Sequence, residues 1–531
     1  MLPGLFLQKF FLHGLAWSYT RERARPYVKI AKSATLNLWP SAQVALDNDP
    51  TLSREQICCL ELKGLGDSGV SFEDSMQYIT ESRSYWSAGN IVEPACVYAP
   101  ESAEQVSRAV QIFARNECQF AVRGGGHATV PGTNGRDGAV LLVTSRLRTL
   151  EVVAGRDVAR IGPGNTWTDV YRATDAIGMV VPGGRMGTVG VAGVVLGGGI
   201  SHQAAEYGFS CDNVVNYQVV TADGLIRNAN ATSDPDLFWA LKGAGNRFGI
   251  VTAFDMKMYP LAKVYGGTIS YRFTSLEEVL AQIDEFHRKE SDPKASMIFS
   301  ILDGRDVGYG LFLELVLYYG MPVTSPPEVF QPFFEIPGIF KNTVSLKSFS
   351  TFIPGQREGL LPGLFSHSWR SVTFSRDAGV NRRIADIFLE EVEEFRAKQG
   401  ADIQLGLFTM SYELYHTGQI TASETTGGNA LGMERYRDNG PLMLGLLVHS
   451  WVNKTEADLR IETLKKSGDR MMEAAKEAGK HVDFVYVNAA GADQEPYLSY
   501  GAENVGRLRR IRDRYDPDGV FSRLQAGVFH L

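Results

Sequence analysis

The sequence predicts an α+β fold, and three observations carry that prediction. Helix-period and strand-period runs alternate through about residue 262, broken by many glycine turns. Glycine is concentrated in two fields, Arg123-Gly-Gly-Gly-His127 and Gly183–Gly199. From residue 263 the glycine fields stop, and longer amphipathic helices appear among strand-like runs, so a second domain is expected at 263–480.

Taken in order, residues 101–116 carry a helix. Ser102 is the cap, Gln105 sits three residues on, and Val106, Val110 and Phe113 share one face. Gln119–Val122 is a strand entering the first glycine loop, and Gly138–Val143 is the next strand. Thr166–Ile177 is a helix closed by Gly178, followed by a short strand at Val180 and Val181. Asp234-Pro-Asp opens a helix with Asp as cap and Pro in the first turn, and Gly243 ends it. Amphipathic helices follow at 276–290, 380–398 and 455–478, with Ile384, Phe388, Val392 and Phe395 on one face of the second. Gly308–Tyr319 and Leu442–Trp451 are strands, and a last helix within 503–531 stops at Tyr515-Asp-Pro517.

The 531 residues suffice for two or three domains with a sizeable core. A formal charge of −7 disfavours nucleic acid or an anionic membrane as the main partner. No stretch reaches the roughly 20 apolar residues that a membrane span requires. Residues 1–50 form a leader, with the choice between a degenerate signal peptide and a disordered start left open. Asn230-Ala-Thr and Asn453-Lys-Thr fit the glycosylation pattern, which is common by chance. Five cysteines show no metal spacing. Either Cys58 or Cys59 pairs with Cys118, or all five are buried thiols.

The glycine fields carry the chemistry. Glycine lets backbone approach a ligand closely, and two such fields suggest N–H groups wrapped around an anionic cofactor, with His127 at the lip. Gly190-Val-Ala-Gly193-Val-Val-Leu-Gly197 lacks the Rossmann spacing, and no Gly-Lys-Ser/Thr ending marks a P-loop. Nine histidines without zinc spacing and no G-x-S-x-G elbow argue against a metal centre and a serine hydrolase.

At Cys118–His127, Gly187-Thr-Val-Gly190, Leu196–Ser201, Tyr207–Asn213, Asp236–Gly243 and Phe248–Thr252 the chain resembles the berberine-bridge-enzyme-like flavin oxidases of the vanillyl-alcohol-oxidase superfamily, particularly fungal FAD-linked oxidoreductases of secondary metabolism. The resemblance runs from about 55 to 262 and resumes at 484–531. It implies a PCMH-type FAD-binding domain made from both chain ends, 51–262 and 481–531, with an inserted substrate domain of antiparallel sheet backed by helices. It implies FAD bonded covalently to His127, with Arg123, Gly124, Gly125, Gly126, Gly187, Thr188, Val189, Gly190, Gly193, Gly198 and Ile250 as further cofactor contacts. Val189 borders the oxygen approach in that family, and valine there resembles oxidases.

Two departures stand out. Met186 occupies the place where many relatives carry a second attaching cysteine, so a single linkage through His127 is expected. Ala489 stands where relatives often have an active-site tyrosine in a C-terminal strand. That leaves Tyr486 as base and Asn488 as flavin or substrate contact, or else Tyr412, Glu413 or His416 from the cap. The expectation is an oxidase moving hydride from a secondary metabolite to flavin, with O2 reduced to H2O2. The alternatives are a carbohydrate oxidase and a pericyclic cyclase with structural FAD. A small-molecule substrate, a monomer and a secretory location complete the reading.

Overall fold

Side-chain capping sets several of the helix starts in this computed structural model, which describes residues 51–531 apart from 67, 154, 156, 291, 354–362, 399–404 and 453. The expected leader at 1–50 and the Asn453 acceptor lie outside the described residues. Ser53 and Thr166 close capping boxes with Gln56 and Asp169, opening helices Arg54–Gly64 and Trp167–Asp175. Ser102 accepts from Gln105 N at 3.3 Å and opens Ala103–Asn116, which buries Val106, Val110 and Phe113 as its periodicity requires. Asp234 departs from expectation. It lies at φ 48°, in the left-handed region, and makes no cap hydrogen bond. Its carboxylate instead accepts from the Tyr515 hydroxyl at 2.8 Å, and Pro235 alone sets the first turn of Pro235–Leu241.

Three sheets and a ribbon follow. The first runs β1 (Val70–Ser71), β2 (Cys96–Tyr98), β4 (Val140–Val143), β3 (Phe120–Arg123), parallel except for the β1 edge. The second is antiparallel: β5 (Leu150–Val152), β6 (Val158–Ile161), β10 (Ile250–Lys257), β8 (Val214–Val220), β9 (Ile226–Asn230). β7 (Met179–Val180) and β11 (Tyr259–Pro260) form the ribbon. The third sheet has nine antiparallel strands, in the order β15 (Ile339–Asn342), β12 (Val264–Arg272), β14 (Gly310–Tyr319), β13 (Ala295–Gly304), β18 (Gly406–Tyr415), β19 (Leu442–Trp451), β17 (Ser366–Ser375), β20 (His481–Val482). β16 (Ser345–Lys347) pairs beside β15 on β12.

Strand alternation gives this large sheet two different faces. Phe299, Leu315, Phe408, Met410, Tyr412 and Leu447 pack into one core with helices Leu276–Lys289, Ala378–Lys398 and Ala457–Glu477. The alternate residues turn toward the first domain. The expected antiparallel sheet backed by helices is therefore present, and α+β is the observed class.

Two disulfides tie the start of the described chain together. Cys58 and Cys59 are neighbours on a helix, about 100° apart around its axis, so they reach different partners. Cys58 bonds Cys118, one of the two pairings expected there, and Cys59 bonds Cys96, which the spacing did not reveal; Cys211 is free and buried. At the other end, helix Ala502–Tyr515 lies on Pro235–Leu241, with Arg507 4.0 Å over the Trp239 ring. The tail then reaches β3, where Ala526 N donates to Phe120 O at 2.7 Å. No helix among the described residues is long and apolar enough to cross a membrane.

Candidate active site

The two glycine fields meet back to back. A Cβ on Gly190 would stand 2.5 Å from Gly125 N, and one on Gly125 would stand 2.6 Å from the Gly190 Cα. Both neighbours are backbone, so neither position accepts a side chain without displacing the other field. The first loop is seated on residues 81–86. Gly126, at φ 70°, turns the chain so that its carbonyl accepts from Trp86 N at 3.0 Å. The second field wraps the start of helix Trp167–Asp175, with Trp167 N donating to Val189 O at 3.0 Å and Thr168 N to Gly187 O at 2.9 Å.

Facing these fields across a cavity of about 520 Å³ is the inner face of the nine-stranded sheet. Gly124, Gly125, Gly126, His127, Val189, Gly190, Gly193, Ile250, Tyr486 and Asn488 all line it. Four expected contacts do not. Arg123 is buried in an ion pair with Glu81 and donates to Ser84 O at 2.5 Å, so it braces the loop from behind. Gly187 and Thr188 belong to the turn held by the Thr168 backbone, and a Cβ on Gly187 would run into the Thr168 hydroxyl, with Ile353 3.3 Å away. Gly198, at φ 97°, faces Leu431.

His127 stacks on Trp86 with ring centroids 5.1 Å apart, and Trp86 stacks in turn on His367 at 3.6 Å. Burial holds the imidazole of His127 down at about 4, so it is neutral at physiological pH with a lone pair available. His367 is held down to about 3, by burial and then by His127, and its Nδ1 shares a 2.8 Å hydrogen bond with Ser450 Oγ. Met186 lines the same cavity.

The segment after β20 is a short 3₁₀ turn, Val487–Ala489, rather than the strand expected there. Ala489 N folds back to Tyr486 O at 2.9 Å, which brings Tyr486, Asn488 and Ala489 to one wall. Asn488 Nδ2 donates to Val194 O and to the Tyr486 hydroxyl, each at 3.2 Å, pinning the second glycine field to the C-terminal segment. Gly197 permits this, because a Cβ there would lie 2.5 Å from Asn488 Cγ. Burial pushes the Tyr486 phenol up to about 12.

On the sheet side, β18 presents Leu407, Thr409, Ser411 and Glu413, while β19 presents Leu444, Leu446, Val448 and Ser450. Of the cap alternatives only Glu413 reaches the cavity. Tyr412 points into the helix core and donates to Asn381 O at 2.9 Å, and His416 lies 3.3 Å from Glu290. Glu413 pairs with Arg185 at 2.6 Å, both nearly buried. Arg185 sits inside the second glycine field, where it was visible but not singled out; Trp86, Trp369, Glu314 and Arg247 were missed because only long-range packing brings them here. A second hollow of about 550 Å³, along Arg370–Thr373 and Asp483–Val485, touches neither glycine field.

These residues fit a large anionic cofactor. Gly193 is inside helix Val191–Leu196, yet nothing of the protein lies within 4 Å of where its Cβ would be, so the space in front of it is left for a ligand. Residues 94–230 match the family model described as FAD binding domain, and 485–526 match berberine and berberine like. The class is therefore an FAD-dependent oxidoreductase. The FAD-dependent monooxygenase tpcD of Cochliobolus heterostrophus is 34% identical over 451 residues, covering 82% of this chain and 84% of that protein. The bifunctional solanapyrone synthase of Alternaria solani is 30% identical over 480 residues, covering 90% and 89%. The wild-type BBE-like 1 structure of Physcomitrella patens superposes with a TM-score of 0.71 at 19% identity, covering 90% of this chain and 99% of that one. The chain belongs to the berberine-bridge-enzyme-like FAD-linked oxidoreductases, with an FAD-binding domain and a sheet-rich substrate domain.

Proposed function

We propose that this enzyme is an oxidase of a secondary metabolite, with FAD bonded once, through His127. The observation that carries the reading is the division of the cavity: glycine backbone, His127 and Met186 on one side, and on the other a sheet face that mixes aliphatic residues with Ser300, Thr409, Ser411, Ser450 and two carboxylates, Glu314 and Glu413, the latter against Arg185. When bound, the flavin supplies a two-electron acceptor that O2 reoxidises with release of H2O2. The remaining work belongs to the chain. Leu444, Leu446 and Val448 desolvate the substrate, and the Ser300 and Ser411 hydroxyls, 2.8 Å apart, satisfy one another. Tyr486, a phenol at neutral pH, orients the substrate by donating a hydrogen bond while Asn488 fixes its hydroxyl. Glu413 accepts the proton that leaves with the hydride, and Arg185 holds the carboxylate in place. Val189, on the cavity wall, borders the path of O2.

Relatives named as FAD-dependent monooxygenases and a solanapyrone synthase support a metabolite substrate. Two disulfides support folding in an oxidising, secretory compartment, and the enzyme acts as a monomer. Acid precipitation tests the linkage. The wild-type pellet stays yellow and its His127 peptide carries a flavin mass, whereas His127→Ala releases its flavin to the supernatant. Wild-type flavin in the supernatant refutes the covalent reading. Stoichiometric peroxide during turnover supports the oxidase, and oxygen incorporated into product refutes it in favour of monooxygenation.

A further inference from the structure

Arg185 and Arg247 are the two Arg or Lys side chains lining the cavity. Arg185 is neutralised by Glu413. Arg247 is not. It is only 6% exposed, and its Nε and Nη1 have no hydrogen-bond partner. Among the described residues it forms no ion pair. Its surroundings are built around it: a Cβ on Gly527 would stand 2.7 Å from its Cζ, burial raises the Tyr497 phenol while a hydrogen bond and the charge of Arg247 pull it back, and burial and then Arg247 hold His530 down. A buried guanidinium left without an anion is unfavourable, and its two idle donors, on neighbouring edges of the plane, remain free to bond phosphoryl oxygens.

Arg247 lies between Gly245 and Gly249, on the first domain and not on the sheet that faces the substrate. We propose that Arg247 is the cation for the diphosphate of the dinucleotide cofactor, so that this chain discriminates FAD from riboflavin through one side chain. The inference rests on the FAD reading, and the test separates the two. In a His127→Ala background, where flavin exchanges freely, titrate FAD, riboflavin and ADP by fluorescence and calorimetry, with and without Arg247→Met. The expected result is a loss of about 10- to 100-fold in FAD and ADP affinity, no change for riboflavin, and a ligand-free melting temperature equal or higher, since an unpaired buried charge has been removed. Arg247→Lys should recover part of the ADP affinity, as a point charge without the fork.

Equal losses for FAD and riboflavin, or a lowered ligand-free melting temperature, would show that Arg247 merely supports the fold and would overturn the proposal. Unchanged FAD affinity would overturn it too. If Arg247-dependent ADP binding persists while no flavin binds, the anion site stands and the FAD reading falls.

Discussion

Gly193→Ala separates a glycine kept for the fold from one kept for a ligand. The residue occupies the third position of helix Val191–Leu196, where alanine is better than glycine by up to about 1 kcal/mol. No protein atom lies within 4 Å of the added methyl, so no packing term opposes that gain. The flavin-free protein should therefore be equally stable or slightly more stable in urea. In the complete enzyme the methyl projects into the cavity where the cofactor backbone or ring must pass. A methyl carbon needs about 3.5–4 Å from the next heavy atom, and overpacking of that kind costs about 1–3 kcal/mol, a loss of roughly 5- to 150-fold in flavin affinity. Denaturant titration of flavin-free protein and flavin stoichiometry from the 450 nm band measure the two halves. Gly190→Ala is the control, because its Cβ would meet Gly125 N at 2.5 Å and both stability and flavin content should fall. If Gly193→Ala binds flavin like wild type, the cofactor does not lie against this helix and the assignment of the second glycine field is wrong.

Three histidines, His287, His367 and His449, are almost fully buried and held to about 3 from an ordinary 6.5. The unfolded chain therefore binds more protons than the native one between those values, and stability that is complete above about pH 6.5 is lost as pH falls, at about 1.4 kcal/mol per pH unit from each group. Urea midpoints at pH 7, 6 and 5 check this; a flat profile would mean that these rings find partners in acid. Glu413→Gln should slow substrate-dependent bleaching of the flavin band by about 100- to 10,000-fold with flavin content unchanged. A rate within threefold of wild type removes Glu413 from the proton transfer.

Local chemistry made the helices legible. Ser102, Thr166 and the apolar stripe of 380–398 act within a few residues, and each behaved as its spacing dictates. Asp234 shows where that logic stops, since a tyrosine 281 residues away takes the carboxylate that would have capped the helix. The same holds at the site. Gly124–Gly126 and His127 are contiguous and were legible as a loop, but the reason for Gly125 is Gly190, which no local pattern states. Period-2 alternation could have singled out Glu413 from Tyr412 and His416 only once the sheet's inner face was known. Arg247 resembled any loop arginine; burial with two idle donors, visible only in three dimensions, distinguishes it.

Ala489 looked like a loss of function, and the geometry argues for a transfer of function. A small residue at the cavity wall opens room beside Tyr486, whose phenol, pushed up to about 12 by burial, stays protonated at neutral pH and donates. The carboxylate proposed as acceptor comes from the opposite wall, on β18, and is held by an arginine from the second glycine field. The Arg185–Glu413 pair thus joins the cofactor side of the cavity to the substrate side at 2.6 Å. In the proposed mechanism the proton acceptor is thereby tied to the cofactor side, by one of several contacts, with Ser87–His367 and Gln203–Tyr318, that hold the large sheet on the first domain.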